Sequence, residues 1–158
     1  MAEWFKALVL KTIVFIKYQG FESLLFYFLV FMIQKGTLLN VIDNSGAKKV
    51  LCIHIISGYK HRYAGMGDSI LVSVKSLRSK RKSTSKVKKG EIHKAVILRV
   101  KNFYTSFYGD KFGFIENSVV LLNKQNKFFC TKVFGAIPKF FRFSKFLRLS
   151  SLSAGTIC

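Results

Sequence analysis

The side chains of this chain that can do chemistry are overwhelmingly cations. Between Arg78 and Lys89 stand seven Lys/Arg and no acid. That much like charge on one connection repels itself unless a polyanion neutralises it. The chemistry on offer is capture of phosphate, driven by release of the counterions condensed on nucleic acid. Arg78, Lys80, Arg81, Lys82, Lys86, Lys88 and Lys89 form the centre of this set. Lys48, Lys49, Lys60, Arg62, Arg99, Arg142, Lys145 and Arg148 extend it, and Tyr63 adds a ring able to stack on an unpaired base. Lys101 and Lys132 have the same reach, and Tyr104, Phe107, Tyr108 and Phe128 are further rings for which core burial is the competing role.

Catalysis finds no comparable set. The acids after residue 31 are Asp43, Asp68, Glu91, Asp110 and Glu116, scattered along the chain. Asp43, Asp68 and Asp110 each adjoin Gly or Asn and read as turn formers. His54 lies in an apolar strand and is expected to be a core or interface histidine. Neighbours on one strand face project in parallel, so Cys52 and His54 cannot form a nucleophile pair. Cys52, Cys130 and Cys158 are widely spaced with no CxxC, which suits a reducing compartment and neither a disulfide framework nor a zinc ribbon. The Gly65-Met66-Gly67 pair is too short for a dinucleotide loop. The expectation is a binding protein with no enzyme activity, no metal, no cofactor and no small-molecule substrate.

The elements that must position the cations are short strands. Thr37–Val41 is a strand ended by the turn Asp43-Asn44-Ser45-Gly46, in which Gly46 suits a positive φ. Lys48–Ile56 follows, with Val50, Cys52, His54 and Ile56 on one face and Leu51, Ile53 and Ile55 on the other, as in a central strand. Tyr63–Asp68 is a glycine-paired turn leading into Ser69–Lys75. Ile92–Val100 and Ser118–Leu122 are further strands, while Asn102–Gly113 carries turn and aromatic residues. Strands this short at this spacing, with one basic hairpin, predict a small β-barrel. From Lys139 to Arg148 cations recur at 139, 142, 145 and 148. On an α-helix they cover about half the circumference and leave Phe140, Phe143, Phe146 and Leu147 near the other half, which predicts a short amphipathic helix.

Charge also divides the chain. Of the formal +20, residues 1–31 hold +1, from Lys6, Lys11 and Lys17 against Glu3 and Glu22, which leaves +19 for residues 32–158. Nucleic acid is the partner this balance favours, and an anionic membrane surface is the alternative. Residues 1–31 are apolar, aromatic and nearly free of turn signals. The longest unbroken apolar run, Leu24 to Ile33, falls short of the roughly 18 residues that cross a bilayer. There is no clear signal-peptidase site and no arginine as in a transit peptide. The segment reads as a helical extension packed on the domain or a neighbour, as an upstream region absent from the mature protein, or as the anchor of a basic peripheral membrane protein.

The order of several motifs points further. Met32-Ile33-Gln34 with Leu39-Asn40-Val41-Ile42-Asp43-Asn44-Ser45-Gly46-Ala47-Lys48-Lys49-Val50 closely resembles the start of the large-subunit ribosomal protein L-fourteen family. Arg62-Tyr63-Ala64-Gly65-Met66-Gly67-Asp68, Lys86-Val87-Lys88-Lys89-Gly90-Glu91 and Lys94-Ala95-Val96-Ile97-Leu98-Arg99 continue it. So do Phe114-Ile115-Glu116-Asn117, Val119-Val120-Leu121 and Thr131-Lys132-Val133-Phe134-Gly135-Ala136. The resemblance runs from Met32 to about Ser153. It implies a mainly β fold: a five-stranded OB-like or SH3-like barrel with a projecting basic β-hairpin and a short carboxyl-terminal helix. It also implies a structural role in the large ribosomal subunit, with binding of large-subunit rRNA, a bridge to small-subunit rRNA, and the proteins L-three and L-nineteen as neighbours. Docking of the ribosomal silencing factor is implied at Thr131, Lys132 and Ser151.

The chain departs from the family in a hairpin longer by about four residues between Lys75 and Lys86, in Tyr108 before Gly109, in Cys130 where the family has Gly, and in the ending Ala154-Gly155-Thr156-Ile157-Cys158. The preference for Lys and the 17 Phe suit an A+T-rich genome, as in an organelle or a reduced endosymbiont. The forms of the Arg62 and Lys86 motifs resemble the bacterial and mitochondrial branch more than the plastid one, and a mitochondrial ribosome is the expectation.

Overall fold

A computed structural model describes residues 33–58, 61–79, 85–105 and 111–157. Short β-branched and apolar runs between turn residues set its barrel strands. In chain order the elements are β1 (Leu38–Val41), β2 (Ala47–Ile55), β3 (Ser69–Leu77), β4 (Ile92–Arg99), β5 (Phe103–Thr105), β6 (Lys111–Gly113), β7 (Ser118–Leu122) and β8 (Val133–Pro138). A 3-10 helix (Lys139–Phe143), a single α-helical turn α1 (Arg148–Leu152) and β9 (Ser153–Ile157) complete them. Strands β1, β2, β3, β4 and β7 close into a barrel in that order, all neighbours antiparallel except the closing pair β1 and β7. This is the small β-barrel that the strand spacing predicts, with the five strands that the family resemblance implies.

Two of the barrel strands are apolar on both faces, and the packing shows why. In β4, Ala95 to Leu98 are all buried, and in β7 all five residues are. Val96, Leu98, Val120 and Leu122 face outward into a second core with Ile42, Cys130, Val133, Ile137, Phe141 and Leu149. That second core roofs one side of the barrel with β8, the 3-10 helix and α1. Phe141 and Leu149 are both fully buried in it, each contributing about 1.5–3 kcal/mol of apolar burial. β8 pairs in parallel with β9, from Val133 opposite Ser153 to Pro138 opposite Ile157.

The base of the basic connection is held by backbone bonds. Arg78 N donates to Gly46 O at 2.9 Å and Lys86 N to Ser45 O at 3.0 Å, so both ends are pinned to the β1–β2 turn. Gly46 sits there at φ 99°, a region where a side chain is strained. Asp43 is fully buried beneath that turn. Its carboxylate accepts from Ser45 N at 2.9 Å, from the Ser45 hydroxyl, and from Leu121 N at 3.0 Å across the barrel. Asp68 likewise accepts from Gly65 N at 2.8 Å within its own turn.

Two expectations need correction. The strand β2 does not keep a single alternation: register shifts between Cys52 and His54 turn His54 outward, so it is exposed and is no core histidine. Lys139–Arg148 is not one amphipathic helix. Pro138 precedes a 3-10 helix that ends at Phe143, and the α-helical turn starts only at Arg148. Phe141 and Leu149 are the buried anchors, whereas Phe143 and Leu147 are exposed. The 102–113 region, with its turn and aromatic residues, holds a small antiparallel pair, β5 with β6.

Among the described residues no helix is long and apolar enough to cross a membrane. The extension 1–31, Asp110 and Cys158 lie outside the described residues.

Candidate nucleic-acid interface

The predicted cations fall into two groups once their surroundings are known. The first group is tied to the protein itself. Arg78 Nη2 donates to Val41 O at 2.9 Å, and its guanidinium lies 5.3 Å from the centre of the Phe134 ring. Arg99 donates from Nε to Ala136 O and from Nη2 to Phe134 O, both at 2.8 Å, and lies 5.6 Å from the Phe114 ring centre. Burial lowers the Arg99 pKa, since a half-buried guanidinium loses hydration, and Glu116 partly opposes that. A Cβ on Gly135 would stand 2.3 Å from Arg99 Nη2, and Gly135 has φ +78°. The glycine is therefore what lets the guanidinium reach both carbonyls. Together Arg78 and Arg99 clamp β8 against the barrel. Lys86 Nζ donates to Phe129 O at 3.0 Å.

The second group is free to meet a partner. Lys48 and Lys49 are both exposed, although consecutive residues on a strand normally face opposite ways. Register shifts on either side of Lys49 explain it. Arg62 is exposed and Tyr63 is 47% exposed, next to Ala64, which is buried and pairs its backbone with Ile33. Lys88, Lys89, Arg142 and Arg148 are exposed as well, and Lys145 is exposed with its Nζ 5.0 Å from the Phe146 ring centre. Lys101, Lys132 and Lys139 join them, Lys139 beginning the three-residue spacing of cations. Lys60, Lys80, Arg81 and Lys82 lie outside the described residues, as do Phe107 and Tyr108. Phe128 is half-buried and packs edge-on against Phe146 at 6.2 Å, so it serves the second core.

The described acids are already engaged. Asp43 and Asp68 serve turns, Glu116 accepts from Asn40 Nδ2, and Glu91 accepts from Lys88 N at 2.9 Å and faces His93 Nε2 at 3.1 Å. These contacts, the Lys88 amide foremost, hold the Glu91 carboxyl below its ordinary range. Among the described residues no lysine or arginine makes an ion pair with a carboxylate. The surface is thus a cationic one with little internal compensation, suited to phosphate and unsuited to acid–base chemistry. Among the described residues no three His, Cys, Asp or Glu side chains converge as metal ligands. Cys52 and Cys130 are free and buried. Burial, with Asp43 adding to it, pushes the Cys130 thiol up to about 11.

Thr131 and Lys132 are exposed just before β8, and Ser151 is exposed on α1 just before β9. Because Val133 pairs with Ser153, the three residues sit at one end of the β8–β9 pair. Residues 32–157, the barrel with its roof, match the family model described as ribosomal protein L14p/L23e.

Proposed function

The chain belongs to the ribosomal protein L14p/L23e family, structural constituents of the large ribosomal subunit and not enzymes, and from that membership we propose that it binds large-subunit rRNA at the subunit interface. The observation that carries the reading is the set of exposed cations on a closed barrel whose described acids are all otherwise engaged. The mechanism is neutralisation and positioning of folded RNA: counterion release supplies the affinity, and a rigid barrel fixes where the phosphates must lie. A bridge to small-subunit rRNA, contact with the proteins L-three and L-nineteen, and residence in a mitochondrial ribosome complete the proposal. So does silencing-factor docking at Thr131, Lys132 and Ser151. Their common end of the β8–β9 pair supports one docking surface, and Cys130, being buried, supplies no side chain to it.

Sedimentation tests the core of this reading. The full chain, epitope-tagged, is expected to co-sediment with the large subunit of its own source and to be released by ribonuclease. Deletion of residues 1–31 should leave that association intact. Loss of association on the deletion, or ribonuclease-resistant recovery with membranes, would refute it.

A further inference from the structure

The 3-10 helix sorts its side chains in a way an α-helix would not. At three residues per turn, positions i and i+3 eclipse one another. Phe140 and Phe143 therefore share one edge, Lys139 and Arg142 share the next, and Phe141 alone points into the second core. Phe140 stacks on Phe141 with ring centres 4.3 Å apart and 29° between planes. It also rests against Gly67, where a Cβ would stand 3.3 Å from its Cε2. Phe143 is 88% exposed. The Ser144 hydroxyl fixes the end of this helix, donating to Phe141 O at 3.1 Å and accepting from Phe146 N at 3.2 Å. An exposed aromatic is thus held on a braced turn, with its apolar surface unburied and cations alongside.

The charge around this edge names the occupant. Lys139 and Arg142, on the next edge of the same helix, are both exposed. An apolar protein groove would not require two cations beside the ring, whereas a nucleotide presents a flat ring and a phosphate together. We propose that the Phe140–Phe143 edge is a stacking platform for an unpaired RNA base, with the adjoining phosphates held by Lys139 and Arg142. The platform rests on the rRNA-binding reading above and adds to it a preference for single-stranded or bulged RNA at this place.

The test uses the full chain with Trp4→Phe, which removes the only tryptophan, and Phe143→Trp as the reporter. Titration with single-stranded oligoadenylate should quench the introduced indole, and a blunt RNA duplex of equal charge should not. In the otherwise unaltered chain, Phe143→Ala and Phe143→Leu should each weaken single-strand binding by about tenfold or more and leave the salt slope unchanged. Arg142→Gln should lower that slope by about 0.7. Single-strand binding without quenching, and with Phe143→Ala and Phe143→Leu both neutral, overturns the platform and leaves the rRNA reading standing. Failure of the unaltered chain to bind either RNA overturns both.

Discussion

The β3–β4 connection and the segment Lys139–Arg148 are both conspicuous as basic strings, and they differ at the cations that root the connection, Arg78 and Lys86. At the base of the connection Arg78 gives its guanidinium to the Val41 carbonyl and the Phe134 ring, and Lys86 reaches the Phe129 carbonyl. In the carboxyl-terminal segment Lys139, Arg142, Lys145 and Arg148 all remain exposed. A cation that satisfies backbone carbonyls is a structural fastening; one left in solvent is available to phosphate. Charge counted along a sequence is therefore an upper bound on charge presented to a partner.

The largest expected effect separates anchor from platform within one helical turn. Phe141→Ala should destabilise the protein by about 3–5 kcal/mol in urea unfolding, because it empties a fully buried site. Phe143→Ala should change stability by less than about 0.5 kcal/mol, since that ring is 88% exposed. Equal losses at the two positions would break the distinction.

Next comes the clamp. Arg99→Ala should cost about 2–4 kcal/mol, removing two charge-assisted bonds and leaving the Phe134 and Ala136 carbonyls without them. Arg148→Ala, at an exposed position, should stay within about 0.5 kcal/mol. Urea midpoints of the two variants compare them directly. Arg99→Lys should recover only part of the loss, because an ammonium cannot present the two-pronged donor that meets both carbonyls.

The smallest effect concerns pH. Glu91 has a carboxyl pKa held down by the Lys88 amide and His93, so the stability it contributes is present above the ordinary carboxylate value of about 4.3. It is lost as pH falls through the lowered folded value. The stability difference between the unaltered chain and Glu91→Gln should therefore shrink on acidification from neutrality to below about pH 4. A difference that grows on acidification would contradict the assignment.

The barrel was legible because its strands are apolar runs between turn residues, alternating where one face is buried, as in β3, and continuous where both are, as in β7. The strand Ser118–Leu122 has the same bounds in sequence and structure, and Ser69–Lys75 is extended only to Leu77. What escaped was set by features without such a pattern. A bulge reversed His54. β9 is built from Ser, Ala, Gly and Thr before Ile157, residues that carry no apolar period. In the segment after Pro138 the signal was present in another form, because cations at 139, 142 and 145 and aromatics at 140, 143 and 146 repeat every three residues, not every 3.6. The carbonyl partners of Arg78 and Arg99 lie about 35 residues or more away along the chain and leave no local trace.

The division between fastened and presented cations is tested most directly by the salt dependence of binding to a large-subunit rRNA transcript from the same source. Observed binding constants would be measured against salt for the full chain, for Arg142→Gln with Arg148→Gln, and for Arg78→Gln, at a temperature where all three are folded. The double variant should reduce the slope of log K against log salt by about 1.4–1.8, and Arg78→Gln should leave it unchanged. A slope that falls for Arg78→Gln and holds for the double variant would contradict the division.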